Sequence, residues 1–420
     1  MGRFRNVLGN RNFSLLWIGQ IISQFGDRLN QMALIALIYR FAPGSTTQMA
    51  KVMSFTIIPV FLIGPIAGVY VDRWDRRRTM VVCDILRGIL ILFIPFYFIK
   101  LGSMLPIYVI VFLAFSIARF HVPAKMSIIP DLVKTDDLLL ANSLVNTTGM
   151  VAAMFGLGLG GILVGIVGAE GGFIIDGVSF LISGILIFFL STRVIRNLKR
   201  ERLIDVGKGI AEVIRKSAFE EMKDAVVFLS KQKQLRSCLG ILFLLWASLG
   251  AIYVVSIIFV QQAFSSVTKE IGLLVVGLGL GLFAGSLFYG RLGKKRDGFR
   301  TIFSCIFACG VVLSIFVLAV IKAPNLLIAL VLAFILGLVV SPVMVISNTL
   351  VQELTESTMR GKIFSSIEIV VHFAFLVAML ISAPLADRIG PVKILLFVSS
   401  SLVLIGLAGL IGQYGKIRRT

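Results

Sequence analysis

The chain has 420 residues, of which 58% are hydrophobic and only 15% charged, and its mean hydropathy is +0.98. A soluble domain carries about 25% charged residues, so a water-facing globular chain and a disordered chain are both excluded. The net charge of +20, from 41 Lys+Arg against 21 Asp+Glu, would point to nucleic acid in a soluble protein. Here the cations sit between long apolar runs, where they set topology and meet anionic lipid heads, and no nucleic-acid partner is expected.

Lipid cannot hydrogen-bond the backbone, so each spanning segment must satisfy its own N–H and C=O groups. The apolar runs are long and unbroken rather than short and alternating, which favours helices over a β-barrel. In chain order, twelve windows are long enough to span: 13–41, 48–71, 79–100, 105–121, 138–167 and 171–191, then 237–263, 270–290, 301–321, 325–348, 363–386 and 392–412. The basic stretch from Met1 to Phe13 leads into the first span and has no cleavage site, so it is read as part of that span and not as a leader. The four cysteines, Cys83, Cys238, Cys305 and Cys309, lie in or beside apolar runs and show no disulfide or zinc pattern.

An even number of spans places both termini on one side. Tails and alternate loops on that side hold 32 of the 41 Lys+Arg. The opposite side holds seven, Arg40, Lys51, Lys100, Lys269, Lys322, Arg388 and Lys393. The positive-inside rule therefore predicts cytoplasmic termini in a multi-pass protein of the inner (cytoplasmic) cell membrane. Residues 192–236 carry 12 Lys+Arg. Within them, Val213, Phe219, Met222, Val226 and Leu229 recur near helical spacing, which predicts an amphipathic helix on the inner leaflet. The division is then 1–191, a first six-helix bundle; 192–236, a cytoplasmic linker; and 237–420, a second bundle. The halves read as a repeat. Gly68 and Arg73 end span two as Gly285 and Arg291 end span eight, and Pro123, taken to end span four, corresponds to Pro342 in span ten.

After span two the chain runs Gly64-Pro-Ile-Ala-Gly68-Val-Tyr-Val-Asp72-Arg73-Trp-Asp75-Arg76-Arg77-Arg78. Membrane anchoring alone explains the arginines but not the order Gly, three residues, Asp-Arg before them. That order resembles the signature loop of the major facilitator superfamily, through Gly68, Asp72, Arg73, Arg76, Arg77 and Arg78. It departs at Asp75, where the family usually has Gly. The resemblance implies an all-α membrane protein with twelve transmembrane helices in two pseudo-symmetric six-helix bundles, the major facilitator fold. It also implies that Asp72 and the arginines latch the cytoplasmic side. Gly156-Leu157-Gly158-Leu159-Gly160-Gly161 in span five is similar to the Gly-Pro-x-x-Gly-Gly element of the exporter branch, with Leu157 in place of Pro. Phe25-Gly26-Asp27, Pro123-Ala124-Lys125 and Ala141-Asn142-Ser143-Leu144 resemble the macrolide-efflux and siderophore-exporter branch, and equally the bacterial lysophospholipid transporters.

Ionisable groups inside spans are costly and face a cavity or one another. Gln20, Gln24, Asp27 and Gln31 share one face of span one and are assigned to the cavity. Asp27 is read as a protonatable coupling carboxylate, or else as a permanent partner of Arg28 or of an arginine elsewhere. Glu368 and His372, one turn apart in span eleven, are read as a second candidate proton site, or else as a structural hydrogen bond near the cytoplasmic end that holds the gate. Asn142 and Asn146 are placed on the inner cavity. Asp84, Arg87, Arg119 and His121 are assigned to a cytoplasmic gate network with Asp72, with substrate contact as the alternative. Asp176 is read as a packing or hydrogen-bonding residue, and Trp246, Tyr253 and Ser256 as lining or packing residues. No phosphate-binding loop, His-Glu-x-x-His pair or nucleophile elbow is present, so neither an enzyme, a metal nor a cofactor is expected. The composite expectation is secondary active export of a small amphiphilic or apolar compound in exchange for protons. The alternatives are a lysophospholipid flippase of the same fold and a non-transporting receptor or scaffold.

Overall fold

Each long apolar run forms an α-helix because in lipid the helix is the one open-ended conformation that pairs its own backbone groups. The computed structural model describes residues 7–71, 74–101, 103–191, 233–292, 298–354 and 360–417. In chain order these form α1 (Arg11–Phe41), α2 (Thr46–Leu62), α3 (Gly64–Val71), α4 (Arg76–Leu101), α5 (Leu105–Leu132), α6 (Leu138–Phe188), α7 (Lys233–Phe264), α8 (Lys269–Leu292), α9 (Gly298–Lys322), α10 (Leu326–Leu354), α11 (Arg360–Ile389) and α12 (Pro391–Ile417).

Among the described residues, nine helical stretches are long and apolar enough to cross a membrane. The twelve expected spans follow once three local events are read. In α6 the two spans of the sequence meet at Gly168, whose φ of 78° and ψ of 177° break the helix between them, a conformation that favours glycine. Span two is divided at Ile63 into α2 and α3, where Pro65 has no N–H to offer the carbonyl four residues back. Span one is α1, whose polar stripe lowers its hydropathy.

Span four differs from expectation. Pro123 does not end it: α5 runs on through Pro123 and Pro130 to Leu132. Neighbouring helices and local adjustment re-satisfy the carbonyls that proline frees within a membrane helix. The continuation keeps Lys125 on α5, one turn beyond His121.

The described residues form two compact units. One draws on Met1–Leu37 and Val52–Glu221, the other on Ile38–Lys51 and Met222–Thr420. The pairing inside each unit repeats. In the first, α4 packs along α6, α4 along α5 and α3 along α5; in the second, α9 packs along α12, α9 along α10 and α8 along α10. Span three with six thus corresponds to nine with twelve, and two with four to eight with ten, which is the six-span repeat in three dimensions. Residues 192–232 lie outside the described residues, and so does the amphipathic helix expected there.

Glycines set the closest of these approaches. A Cβ on Gly281 of α8 would meet the carbonyl oxygen of Phe334 on α10, and one on Gly337 of α10 would meet that of Leu278 on α8. In the second unit Asp387 caps α2: its carboxylate accepts the backbone N–H groups of Thr46 at 2.7 Å and Thr47 at 3.1 Å, and the Thr46 hydroxyl. A carboxylate at a helix N-terminus satisfies free donors and meets the positive end of the dipole.

Gly→Ala stabilises an unobstructed helix by about 1 kcal/mol, but overpacking a tight contact costs about 1–3 kcal/mol. Gly281→Ala is expected to lower the melting temperature of the purified protein, whereas Gly290→Ala, where a Cβ meets nothing within 4 Å, is expected to hold or raise it. A scan in detergent checks the sign at both positions.

Candidate functional site

The polar groups of the first unit converge because α1 meets α6 at a glycine. A Cβ on Gly26 would strike the Ser179 hydroxyl and approach Asp176 Oδ1 to 2.5 Å. With hydrogen there instead, Asn30 one turn on donates through Nδ2 to Asp176 Oδ2 at 2.7 Å. Ser179 donates to the Asp176 carbonyl at 2.7 Å. Asp176 is fully buried and is held by hydrogen bonds.

Asp27 pairs with Arg87 of α4, and not with its neighbour Arg28: Arg87 donates to Asp27 Oδ1 at 2.6 Å. The arginine side chain is 6% exposed and the aspartate 32%, so the pair has one closed and one open end. The guanidinium lies 4.0 Å from the centroid of the Phe180 ring, a cation–π contact that covers its far side. Arg28 turns to Gln31, donating at 3.2 Å, and its stem packs beside Gly156 of α6. At a second glycine of the exporter-like element, Gly160, an added Cβ would lie 3.4 Å from the Arg28 carbonyl oxygen. The element therefore serves to seat α1 on α6.

The remaining gate candidates separate into two groups. Asp84 is fully buried, accepts the Ser183 hydroxyl at 2.7 Å through Oδ2, and has His121 Nε2 3.3 Å from its Oδ1. It is thus part of the same interior network as Arg87, two turns inside the start of α4. Arg119 is half-buried on α5 with its Nε enclosed. The loop arginines stay at the helix ends. Arg76 bridges to Asp131 and to the Ser127 carbonyl, both at 2.8 Å. Arg77 donates to the Phe188 carbonyl and covers the Phe188 ring, and Arg78 is exposed. Asp72 and Arg73 lie outside the described residues, and of Gly68 only its place in α3 is described. Asp75, the departure from the family pattern, has a local task. Its Oδ1 accepts the Arg78 backbone N–H at 2.7 Å, capping α4 in the position such residues favour.

Gln20 is buried and lies 3.5 Å from Gln24, which faces Gly149 of α6. Asn142 is half-buried and Asn146 exposed. In the second unit, Glu368 and His372 meet through the backbone, the ring Nδ1–H donating to the Glu368 carbonyl at 2.8 Å. The imidazole lies 5.5 Å from the Trp246 ring, and Phe375 joins Trp246 to Tyr253. Gly250 allows this approach, since a Cβ there would meet the Phe375 carbonyl. Unit two thus presents an aromatic group where unit one presents charge. Lys125 was not singled out in the sequence as a site residue. Its signal was its position one helical turn after His121, hidden by the assumption that Pro123 ends the helix.

The family model for the Major Facilitator Superfamily matches residues 16–375. The chain belongs to the major facilitator superfamily. It is 27% identical over 364 residues to the uncharacterized transporter YkuC of Bacillus subtilis, covering 85% of this chain and 81% of that one. It is 24% identical to macrolide efflux protein A of Streptococcus pyogenes, over 90% of each. Among solved structures, a bacterial homologue of the iron transporter ferroportin superposes with a TM-score of 0.71 at 16% identity, covering 95% of this chain and 98% of that one. This chain is accordingly a multi-pass transporter of the superfamily.

Removing one partner of a buried ion pair costs about 3–5 kcal/mol, because the other charge is stranded. Arg87→Gln is therefore expected to destabilise the protein markedly, and Asp27→Asn/Arg87→Gln to recover most of the loss. Thermal unfolding of the single and double variants checks this; equal loss in both would refute a direct pair.

Proposed function

We propose that the chain exports small amphiphilic or apolar compounds from the cytoplasm in exchange for protons, by alternating access of two six-helix bundles about a midplane site. The observation that carries this reading is the Asp27–Arg87 pair, a charge pair deep in membrane-spanning helices with one end open. Interior charge of this kind marks ion and substrate pathways. The name of the macrolide efflux relative supports the direction and substrate class, as does the seat formed by Gly156 and Gly160. The cation count supports an inner-membrane location with both termini cytoplasmic. At the open end of the pair, an incoming cationic group or proton competes with Arg87 for Asp27. In the first unit Gln20, Gln24, Gln31, Asn142 and Asn146 are assigned to the cavity as neutral hydrogen-bonding groups; in the second, Glu368–His372 is assigned a supporting proton role and Trp246 and Tyr253 an apolar ligand contact. Asp72, Arg73 and the following arginines latch the cytoplasmic side.

A second reading, lysophospholipid movement, is favoured by one feature. An apolar furrow of about 490 Å³ runs between α1 and the second half of α6, lined by Ile21, Ile22, Phe25, Ile175, Val178 and Ile182 among others. An acyl chain fits that chemistry.

Proteoliposomes loaded with radiolabelled erythromycin, ethidium or lysophosphatidylethanolamine, with and without a pH gradient, separate the readings. Gradient-driven erythromycin or ethidium flux is expected. Lysolipid movement at equal pH would favour the flippase, and no flux of any probe would favour a receptor or scaffold. Asp27→Asn is expected to abolish uphill flux when compared with wild type at equal amounts of folded, reconstituted protein; undiminished uphill flux in that variant would remove Asp27 from the coupling. Asp72→Asn is expected to slow exchange several-fold with little change in substrate affinity, measured by counterflow.

A further inference from the structure

Behind the Asp27–Arg87 pair lies a second set of ionisable groups that the ion pair does not use. Asp84 has no exposed surface, and the side chain of His121 is 8% exposed. The carboxylate has one oxygen satisfied by Ser183. Its other oxygen, Oδ1, and His121 Nε2 face each other at 3.3 Å, and both are enclosed without a hydrogen-bond partner. An imidazole lone pair and a carboxylate lone pair cannot stably face each other in a dry interior. A hydrogen must lie between them, and neutral His121 supplies it in its Nε2–H tautomer; one added proton then resides either on the ring, as imidazolium, or on the Asp84 acid, with the same net charge.

The charged groups around Asp84 can be named by element. On α1 it faces Asp27, while Arg28 is turned to Gln31; on α4, Arg87 and the Cys83 thiol; on α5, His121 and Lys125, and the same helix carries Arg119; on α6, the Ser183 hydroxyl, with Asp176 beyond Asp27. Lys125 interacts with both Asp27 and Asp84. Three carboxylates, Asp27, Asp84 and Asp176, thus share two basic groups, Arg87 and Lys125. With His121 neutral and all three acids ionised the set carries one negative charge; one bound proton makes it neutral. Burying net charge away from water is expensive, so this set is built to hold one proton and to give up that proton only when access or a new counter-charge changes the balance.

We propose that Asp84 and His121 together bind the exchanged proton, and that Arg87 and Lys125 report its presence to Asp27. The inference rests on the proton-exchange reading above and assigns the proton a place within it. The proton comes from bulk water on one side and returns to bulk water on the other, and no bond other than O–H or N–H forms or breaks. When the proton is bound, Asp84 no longer draws on the two cations and Asp27 holds them both. When it leaves, Lys125 and Arg87 are shared again and the open end at Asp27 is less fully neutralised, which favours a cationic or proton-bearing arrival there.

The chain has two histidines, His121 and His372, which makes the site directly observable. Full-length protein labelled with nitrogen-15 histidine, in lipid nanodiscs, gives two sets of ring signals, and loss of one set in His372→Gln assigns the other to His121. Infrared difference spectra over the same pH series report protonated carboxylic acid. The expected result is one shared titration of the His121 ring and an acid band, present in wild type and, at lower pH, in Asp27→Asn, which removes one of the negative charges that the proton offsets. Asp84→Asn is expected to remove the band and to displace the His121 midpoint at least tenfold in proton affinity. If Asp84→Asn does not fold, His121→Gln serves, with the band retained and its midpoint displaced at least tenfold. An acid band that survives in Asp84→Asn and disappears in Asp176→Asn would overturn the assignment, as would a His121 ring and acid region unchanged by pH in wild type. A shared titration in a protein whose liposomes show no pH-driven flux would support the proton site and sink the exchange function instead.

Discussion

Charges taken out of water must be ionised in one another's company or not at all, and that constraint organises the first unit. Arg87 lies against Phe180 with almost no exposed surface, so its charge is tolerable because Asp27 stands 2.6 Å away. The same requirement places Asn30 on Asp176 and Ser183 on Asp84. Each bond fixes one helix against another, α1 to α4, α1 to α6 and α4 to α6, so the network that would handle ions also sets the packing of the bundle.

Glycine is the steric counterpart of this electrostatics. Lipid offers no hydrophobic drive between helices, and close van der Waals approach takes its place. Gly26, Gly156 and Gly160 seat α1 on α6; Gly250, Gly281 and Gly337 do the same in the second unit. At Gly160, Gly250, Gly281 and Gly337 the backbone of the facing helix is the contact surface, whereas an added methyl group on Gly26 or Gly156 meets the side chains of Ser179 and Arg28.

The two units use one pairing scheme for different chemistry. Corresponding helices pack on each other in both, yet among the described residues the interior carboxylate–arginine pair is in unit one, and the aromatic group Trp246, Tyr253 and Phe375 is in unit two. That division suits a transporter in which one bundle manages charge and the other offers an apolar face. The signature loop shows how a family pattern bends locally: Asp75, in place of glycine, gives α4 an N-cap.

The sequence by itself determined that the chain is helical and in a membrane, how many spans it has, where the superfamily loop lies, and that Asp27, Asp84 and Arg87 are ionisable groups inside or at the ends of spans. These follow from solvent physics and periodicity, which are local in the chain. The windows 138–167 and 171–191 bracket the break that the structure places at Gly168, whereas the end of span four was misread at Pro123, where a soluble-protein rule for proline gave way to the tolerance of membrane helices. The choice of partners was left to the tertiary structure. Arg87 takes Asp27 rather than Asp84; Asp84 takes Ser183 and faces His121; His372 turns to Trp246 and to the Glu368 carbonyl rather than to its carboxylate. Partners as far apart in sequence as Asn30 and Asp176 meet only when helices are laid side by side, and spacing along one helix carries no information about which neighbour its polar face will find.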